Sequence, residues 1–250
     1  MLKNIFLSAL LLFTVAGYSS VASAEVSMTV LVTGANRGIG LELVRQMRAR
    51  GHQVIGTARK PEQAMELKET GARLVQLDVT DSNSIRAMAE QLKGQRIDLL
   101  INNAGMLGHN AQSFAETDFD QVIATFDVNS LGPMRVTQAL LPNILAGSGK
   151  TVIQISSTMG SIANNSGGYY GYRASKAALN MLNSSLALEL ADKGITSVVI
   201  HPGWVQTRLG GENAAITVED SVTGMMQVIA KLGPEDSGRF LDYQGEELPW

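Results

Sequence analysis

The stretch TVLVTGANRGIG, Thr29 to Gly40, decides how the rest of the chain is read. Its opening, rich in β-branched residues, predicts a strand over 29–33, and glycines at 34, 38 and 40 predict a tight turn into a helix. Ile39, Leu43, Val44 and Met47 then recur at the spacing of one buried helical face. Glycines between a strand and a helix let the backbone approach a pyrophosphate, which the positive end of the helix dipole holds. The spacing departs from the G-x-G-x-x-G fingerprint, so a plain strand-to-helix turn competes with the phosphate reading at this point.

Working outward, the same rhythm continues to the end of the chain. Strand-like runs stand at 53–58 (QVIGTA), 73–77 (RLVQL), 97–102 (IDLLIN), 150–156 (KTVIQIS), 196–201 (TSVVIH) and 239–243 (RFLDY), separated by amphipathic helical patterns. Alternating β and α units predict an α/β fold: one doubly wound parallel sheet of about seven strands over 28–250, with helices on both faces. Such a sheet binds its ligand beyond the carboxyl ends of the strands.

The totals narrow the partner. Twenty basic residues against 23 acidic ones make no strong field of either sign, so neither nucleic acid nor an anionic membrane surface is indicated and a small molecule is expected. Without cysteine there is no disulfide framework and no thiol catalysis. His52, His109 and His201 are scattered, without metal-ligand spacing, so no metal is expected. The first 24 residues stand apart: Lys3, an apolar run from Ile5 to Ala16, and a small-residue site at Ala22-Ser23-Ala24. The run is too short to cross about 30 Å of hydrocarbon comfortably and follows the plan of a signal peptide, which implies export. The competing reading starts translation at Met28 and leaves the protein in the cytoplasm.

At the end of the second strand a NAD site is expected to place an acid for the ribose 2′-hydroxyl. Here Ala58 is followed by Arg59 and Lys60. A guanidinium pairs with a 2′-phosphate that an acid would repel, and Arg37 in the glycine turn can close from the other side, so NADP(H) is favoured over NAD(H).

Several motifs in order then carry a resemblance: T-G-x-x-x-G-x-G at Thr33–Gly40, the acid Asp78 in LDVTD, N-N-A-G at 102–105, Asn129 in DVNSLG, a serine closing the fifth strand, and Y-x-x-x-K. Over 28–250 the chain resembles the short-chain dehydrogenase/reductase family. Its carboxyl end and the ISSTMGSI and GGYYGYRASKAALN stretches are similar to the carbonyl-reductase branch that includes the C-factor and Sniffer proteins. The resemblance implies a cofactor set of Gly34, Asn36, Arg37, Gly38, Ile39 and Gly40 in the first turn, then Arg59, Asp78, Val79, Asn103, Ala104 and Gly105. Pro202, Gly203, Val205 and Thr207 of HPGWVQT complete it, with Tyr172 and Lys176.

Spacing picks the tyrosine. Of Tyr169, Tyr170 and Tyr172, only Tyr172 has a lysine four residues on, Lys176, one helical turn away on the same face. The lysine charge is expected to lower the phenol pKa, making Tyr172 a general acid/base. The family pattern selects Ser157 over Ser156 as hydrogen-bond donor to the substrate oxygen, and implies that Asn129 positions a water relaying protons to Lys176. Ser157 lies 15 residues before Tyr172, and the extra length around ANNSGG is expected to bend back over the site. Met106, Leu107, Met159, Tyr169 and Trp204 suggest a modest apolar pocket, suited to a small aldehyde or ketone, with a lid at 208–220. His201 is expected to be structural. Helices expected over 118–141 and 172–193, with Ala174, Ala177, Ala178, Met181, Leu182 and Ser185 on a long face, imply a homodimer or homotetramer by the same resemblance. A signalling or regulatory protein with incidental turnover is the alternative function.

Overall fold

Each β-branched run forms a strand in the computed structural model, which describes residues 27–109 and 111–250: β1 (Thr29–Val32), β2 (Gln53–Ala58), β3 (Arg73–Gln76), β4 (Leu99–Asn102), β5 (Thr151–Ile155), β6 (Thr196–His201) and β7 (Phe240–Asp242). The leader read at 1–24 lies outside the described residues. The strands make one parallel sheet in the order β3-β2-β1-β4-β5-β6-β7. The chain therefore walks out from β1 to β3 and returns to β4 on the other side of β1. That reversal opens a crevice between the carboxyl ends of β1 and β4, where a doubly wound sheet takes its ligand.

Helices cover both faces. On one, α1 (Gly38–Ala49) and α7 (Val218–Ile229) bury Leu43, Val44, Met47, Val222 and Met225 against Val30, Val32 and Ile101. On the other, α3 (Ser82–Gln91) and α5 (Gly132–Leu145) bury Ile85, Met88, Val136 and Leu140 against Leu31, Leu100 and Val152. Alternate residues of β1 thus feed opposite cores, as a central strand buried on both faces must. A short α2 (Met65–Glu69) adds Leu67 to the first core. No helix among the described residues is long and apolar enough to cross a membrane.

Asp98 fastens the strands at the opposite end from the crevice. Its buried carboxylate accepts from the Thr29 N–H at 2.7 Å, the Ser148 N–H at 2.7 Å and the Ser148 hydroxyl at 2.9 Å, tying β1 and the turn before β5 to the start of β4. Burial would raise its pKa, but these donors and Arg96 together hold the carboxyl below its ordinary value.

The helix expected over 118–141 is divided. It runs as α4 (Phe119–Phe126), a π-helical stretch at Asp127–Leu131, and α5. The break has a covalent reason: Pro133 offers no N–H for the α-helical bond to the Asn129 carbonyl, and the Gly132 N–H reaches back five residues to the Asp127 carbonyl. The second long helix, expected over 172–193, begins two residues earlier as α6 (Tyr170–Leu190) and closes in a 3-10 turn at Ala191–Lys193.

Candidate functional site

The glycine turn is held by the far side of the crevice. The Thr33 hydroxyl accepts from the N–H groups of Asn103 and Ala104, both at 3.0 Å, while Asn103 Nδ2 donates to the Thr33 carbonyl at 2.9 Å and the Gly34 carbonyl at 3.2 Å. Gly34 sits at φ +62°, and a Cβ there would lie 2.9 Å from the Ala104 Cα, so only glycine allows the two loops to meet. The side chain of Asn103, assigned to the cofactor by resemblance, is spent on shaping the turn. Above it, α1 begins after Arg37 with no side-chain cap and no acid in its first turn. The first N–H groups of a helix lack internal acceptors, so this end suits an anion. Glycine backbone, an uncapped helix start and nearby cations fit a dinucleotide pyrophosphate.

Arg37 and Arg59 are both exposed, and neither joins an ion pair among the described residues. Asp78, by contrast, is committed locally: its Oδ1 accepts from the Thr80 N–H and hydroxyl, and its own N–H donates to Ser84 Oγ. Val79 is buried against Gly132, whose Cβ would stand 2.8 Å from Val79 Cγ2.

The loop after β5 sends its two serines to different partners. Ser156 is buried and donates to Asn180 Oδ1 at 2.7 Å, whereas the Ser157 hydroxyl bonds Tyr172 and accepts from the Met159 N–H at 3.1 Å. The turn at Thr158–Gly160 lies directly on α6: a Cβ on Gly160 would stand 2.8 Å from the Lys176 Cβ, so the close approach requires glycine. Lys176 Nζ donates to the Ile155 carbonyl at 2.8 Å and lies 5.8 Å from the centre of the Tyr172 ring. Ser157, Tyr172 and Lys176 thus converge, all buried, at the carboxyl end of β5.

Their electrostatics correct one expectation. Spacing predicts a Tyr172 pKa lowered by Lys176, but burial dominates and pushes the phenol up to about 12, the Ser157 hydrogen bond pulling it down by less. Burial also lowers the Lys176 pKa to about 8. Asn129 is buried without exposure; its Nδ2 donates to the Met106 carbonyl and to Ser175 Oγ, and its Oδ1 accepts from the Met106 N–H at 2.8 Å. A Cβ on Gly105 would lie 3.4 Å from Asn129 Oδ1 and 3.7 Å from Lys176 Nζ, so both groups face that glycine. Thr33, Ser175 and the Ile155 carbonyl are the parts sequence reasoning missed. A backbone acceptor leaves no trace in residue type, and Ser175 stands out only through its place beside Lys176.

On the substrate side, Met106, Leu107, Met159 and Tyr169 are partly buried. Tyr169 is left-handed at φ +48° and its N–H donates to the Ala111 carbonyl, joining the loop after β4 to the start of α6. The ANNSGG segment is tied to the start of α6, where Arg173 donates to the Gly167 carbonyl at 2.9 Å and to Ser166 Oγ at 2.7 Å, and to the carboxyl terminus, where the Ala163 N–H donates to the Trp250 carbonyl. Trp204 is 57% exposed, and its Nε1 donates to the Gly210 carbonyl, so it braces the lid turn. Pro202 and Val205 are buried; Gly203 is left-handed at φ +85°, and the Thr207 hydroxyl accepts from the Gly210 N–H. His201 is driven down to about 4 by burial, against a smaller upward pull from Asp242, and is therefore neutral at ordinary pH.

The lysine carries a measurable cost. Between pH 8 and the unfolded value of 10.5 the unfolded chain holds more protons than the folded one, so stability rises with pH across that interval. Above about pH 10 the raised tyrosine acts in the opposite sense. Lys176→Met is expected to gain about 2 kcal/mol at pH 7 in urea unfolding, after allowance for the lost hydrogen bond, and to lose the pH 8–10 rise shown by the parent. An equal or lower stability at pH 7 rejects the burial argument.

A sequence model of the short chain dehydrogenases matches residues 28–216. The C-signal protein of Myxococcus xanthus is 47% identical over 167 residues, covering 66% of this chain and all of that one. Among solved structures, NADPH-bound carbonyl reductase from chicken fatty liver superposes with a TM-score of 0.84 at 37% identity, covering 90% of this chain and 99% of that one. Carbonyl reductase Sniffer of D. melanogaster gives 0.85 at 31%, covering 90% and 100%. With the seven-stranded sheet and these matches, the chain belongs to the short-chain dehydrogenase/reductase family and is an oxidoreductase of that kind.

Proposed function

We propose that the protein is an NADPH-dependent carbonyl reductase that converts a small, apolar aldehyde or ketone to its alcohol, with Tyr172 as general acid/base. The observation that carries this reading is the buried Tyr172 hydroxyl, bonded to Ser157 and flanked by Lys176, at the carboxyl edge beside the glycine turn. When bound, NADPH supplies the hydride. The chain's own residues supply the rest. A phenol held near 12 is fully protonated at neutral pH and ready to give its proton to a carbonyl oxygen. As that proton leaves, the Lys176 ammonium favours the phenolate, and Ser157 donates to the substrate oxygen where negative charge grows. Asn129, by resemblance, positions a water that returns a proton toward Lys176; its ties to Met106 and Ser175 support the positioning part.

The preference for NADP(H) rests on Arg37 and Arg59, both exposed and outside any ion pair among the described residues, and on Ala58 where an acid would stand. The apolar substrate class rests on Met106, Met159, Tyr169 and Trp204. Exposed Phe119, Ile123, Leu131, Met181 and Leu188 on α4 to α6 support pairing of copies as a homodimer or homotetramer. The amino-terminal leader supports export. A signalling role with incidental turnover is the second reading, favoured by the identity to C-signal.

Tyr172→Phe is expected to bind NADPH within twofold of the parent yet reduce carbonyls at least about 100-fold more slowly; retained turnover rejects the assignment. Arg59→Asp is expected to cut the NADPH-over-NADH preference at least about tenfold in kcat/KM; an unchanged ratio places the 2′-phosphate elsewhere. Native mass spectrometry of protein from its natural source is expected to show a dimer or tetramer of chains beginning at Glu25. Chains beginning at Met28 reject export, and monomers reject the pairing.

A further inference from the structure

We propose that Arg208, carried on the turn after β6, binds the dinucleotide pyrophosphate at the start of α1. The inference rests on the nucleotide reading above. Its first support is a contact across the carboxyl edge of the sheet: the Thr207 methyl carbon lies 3.4 Å from where a Cβ on Gly38 would stand. Consecutive Cα atoms are about 3.8 Å apart, so Arg208 starts one residue from the first turn of α1, within reach of a side chain as long as arginine's.

Charge supplies the second support. Arg37 and Arg59 are committed to the 2′-phosphate in the reading above, which leaves the pyrophosphate with backbone N–H groups and the partial charge of one helix end. No acid stands in the first turn of α1 to compete for a cation there. Arg208 is exposed and joins no ion pair among the described residues. A guanidinium beside two phosphates forms paired, charge-assisted hydrogen bonds that a helix end alone cannot.

The turn is also held firmly in shape. The Thr207 carbonyl accepts from the Gly211 N–H at 2.8 Å, the Thr207 hydroxyl accepts from the Gly210 N–H at 3.1 Å, and Trp204 Nε1 donates to the Gly210 carbonyl at 2.8 Å. The Gln206 N–H also donates to the Ile216 carbonyl at 2.9 Å and the Ile216 N–H to the Trp204 carbonyl at 3.1 Å, so the turn is pinned where Thr207 meets α1 and presents Arg208 beside it.

The test compares three ligands by equilibrium titration: NADPH, NADH and adenosine 2′-monophosphate, which has the 2′-phosphate but no pyrophosphate. Arg208→Ala is expected to weaken both dinucleotides about tenfold and leave adenosine 2′-monophosphate within twofold, while Arg208→Lys keeps part of the affinity. NADPH is expected to slow thermolysin cleavage at Leu209 in the parent but not in Arg208→Ala. Dinucleotide affinities within twofold of the parent, or an equal loss for all three ligands, overturn the role of Arg208. If the parent binds neither dinucleotide, the nucleotide reading itself falls, and this inference with it.

Discussion

An ammonium group kept out of water and anchored on one backbone carbonyl is the constraint around which the site is organised. Lys176 is buried on α6 and bonded to Ile155, the last residue of β5. For that bond to exist, the turn leaving β5 must lie almost in contact with the helix, and Gly160 is what permits it. The same approach brings Ser157 to Tyr172. A side chain at position 160 would therefore separate the donor serine from the tyrosine, although it touches neither. Burial makes the lysine expensive to keep charged, and a site that tolerates this has placed function above stability.

The second organising contact lies across the crevice. Thr33 and Asn103 exchange hydrogen bonds between the loops after β1 and β4, so the glycine turn is shaped from the same strand end that leads to Gly105, Met106 and Asn129. Asn129 in turn holds Ser175, the neighbour of Lys176. The glycine turn and the Ser157, Tyr172 and Lys176 cluster are thus two parts of one hydrogen-bonded edge. The π-helical stretch at Asp127–Leu131 is part of this edge, because widening the helix at Pro133 sets the position of Asn129.

Much of this was legible in the order of residues. The strands fall within two residues of the β-branched runs, because a strand buried on both faces must be apolar throughout. The four-residue spacing of Tyr172 and Lys176 picked, among three rings, the one the fold brings to Ser157, since helical geometry places i and i+4 together whatever surrounds them. What spacing could not convey was depth. The sign of the Tyr172 shift is a contest between a nearby charge and burial, and burial depends on how closely the turn at Gly160 presses on α6, a distance set by the whole fold. The break before α5 was legible in principle, since Gly132-Pro133 removes a helical donor, but apolar periodicity continues through it and hides it.

The raised phenol bears on the role proposed for Tyr172. A tyrosine serving only as a base would gain from a low pKa, because the phenolate must already exist when an alcohol arrives. At about 12 the hydroxyl is protonated over the whole range in which a protein is stable, and the group best adapted to that state is a proton donor. Lys176, near 8, is charged at neutral pH and loses that charge under mildly alkaline conditions. In the proposed reaction the pair is therefore protonated at neutral pH and loses the charge of Lys176 as pH rises, so proton donation by Tyr172 would lose that support under mildly alkaline conditions.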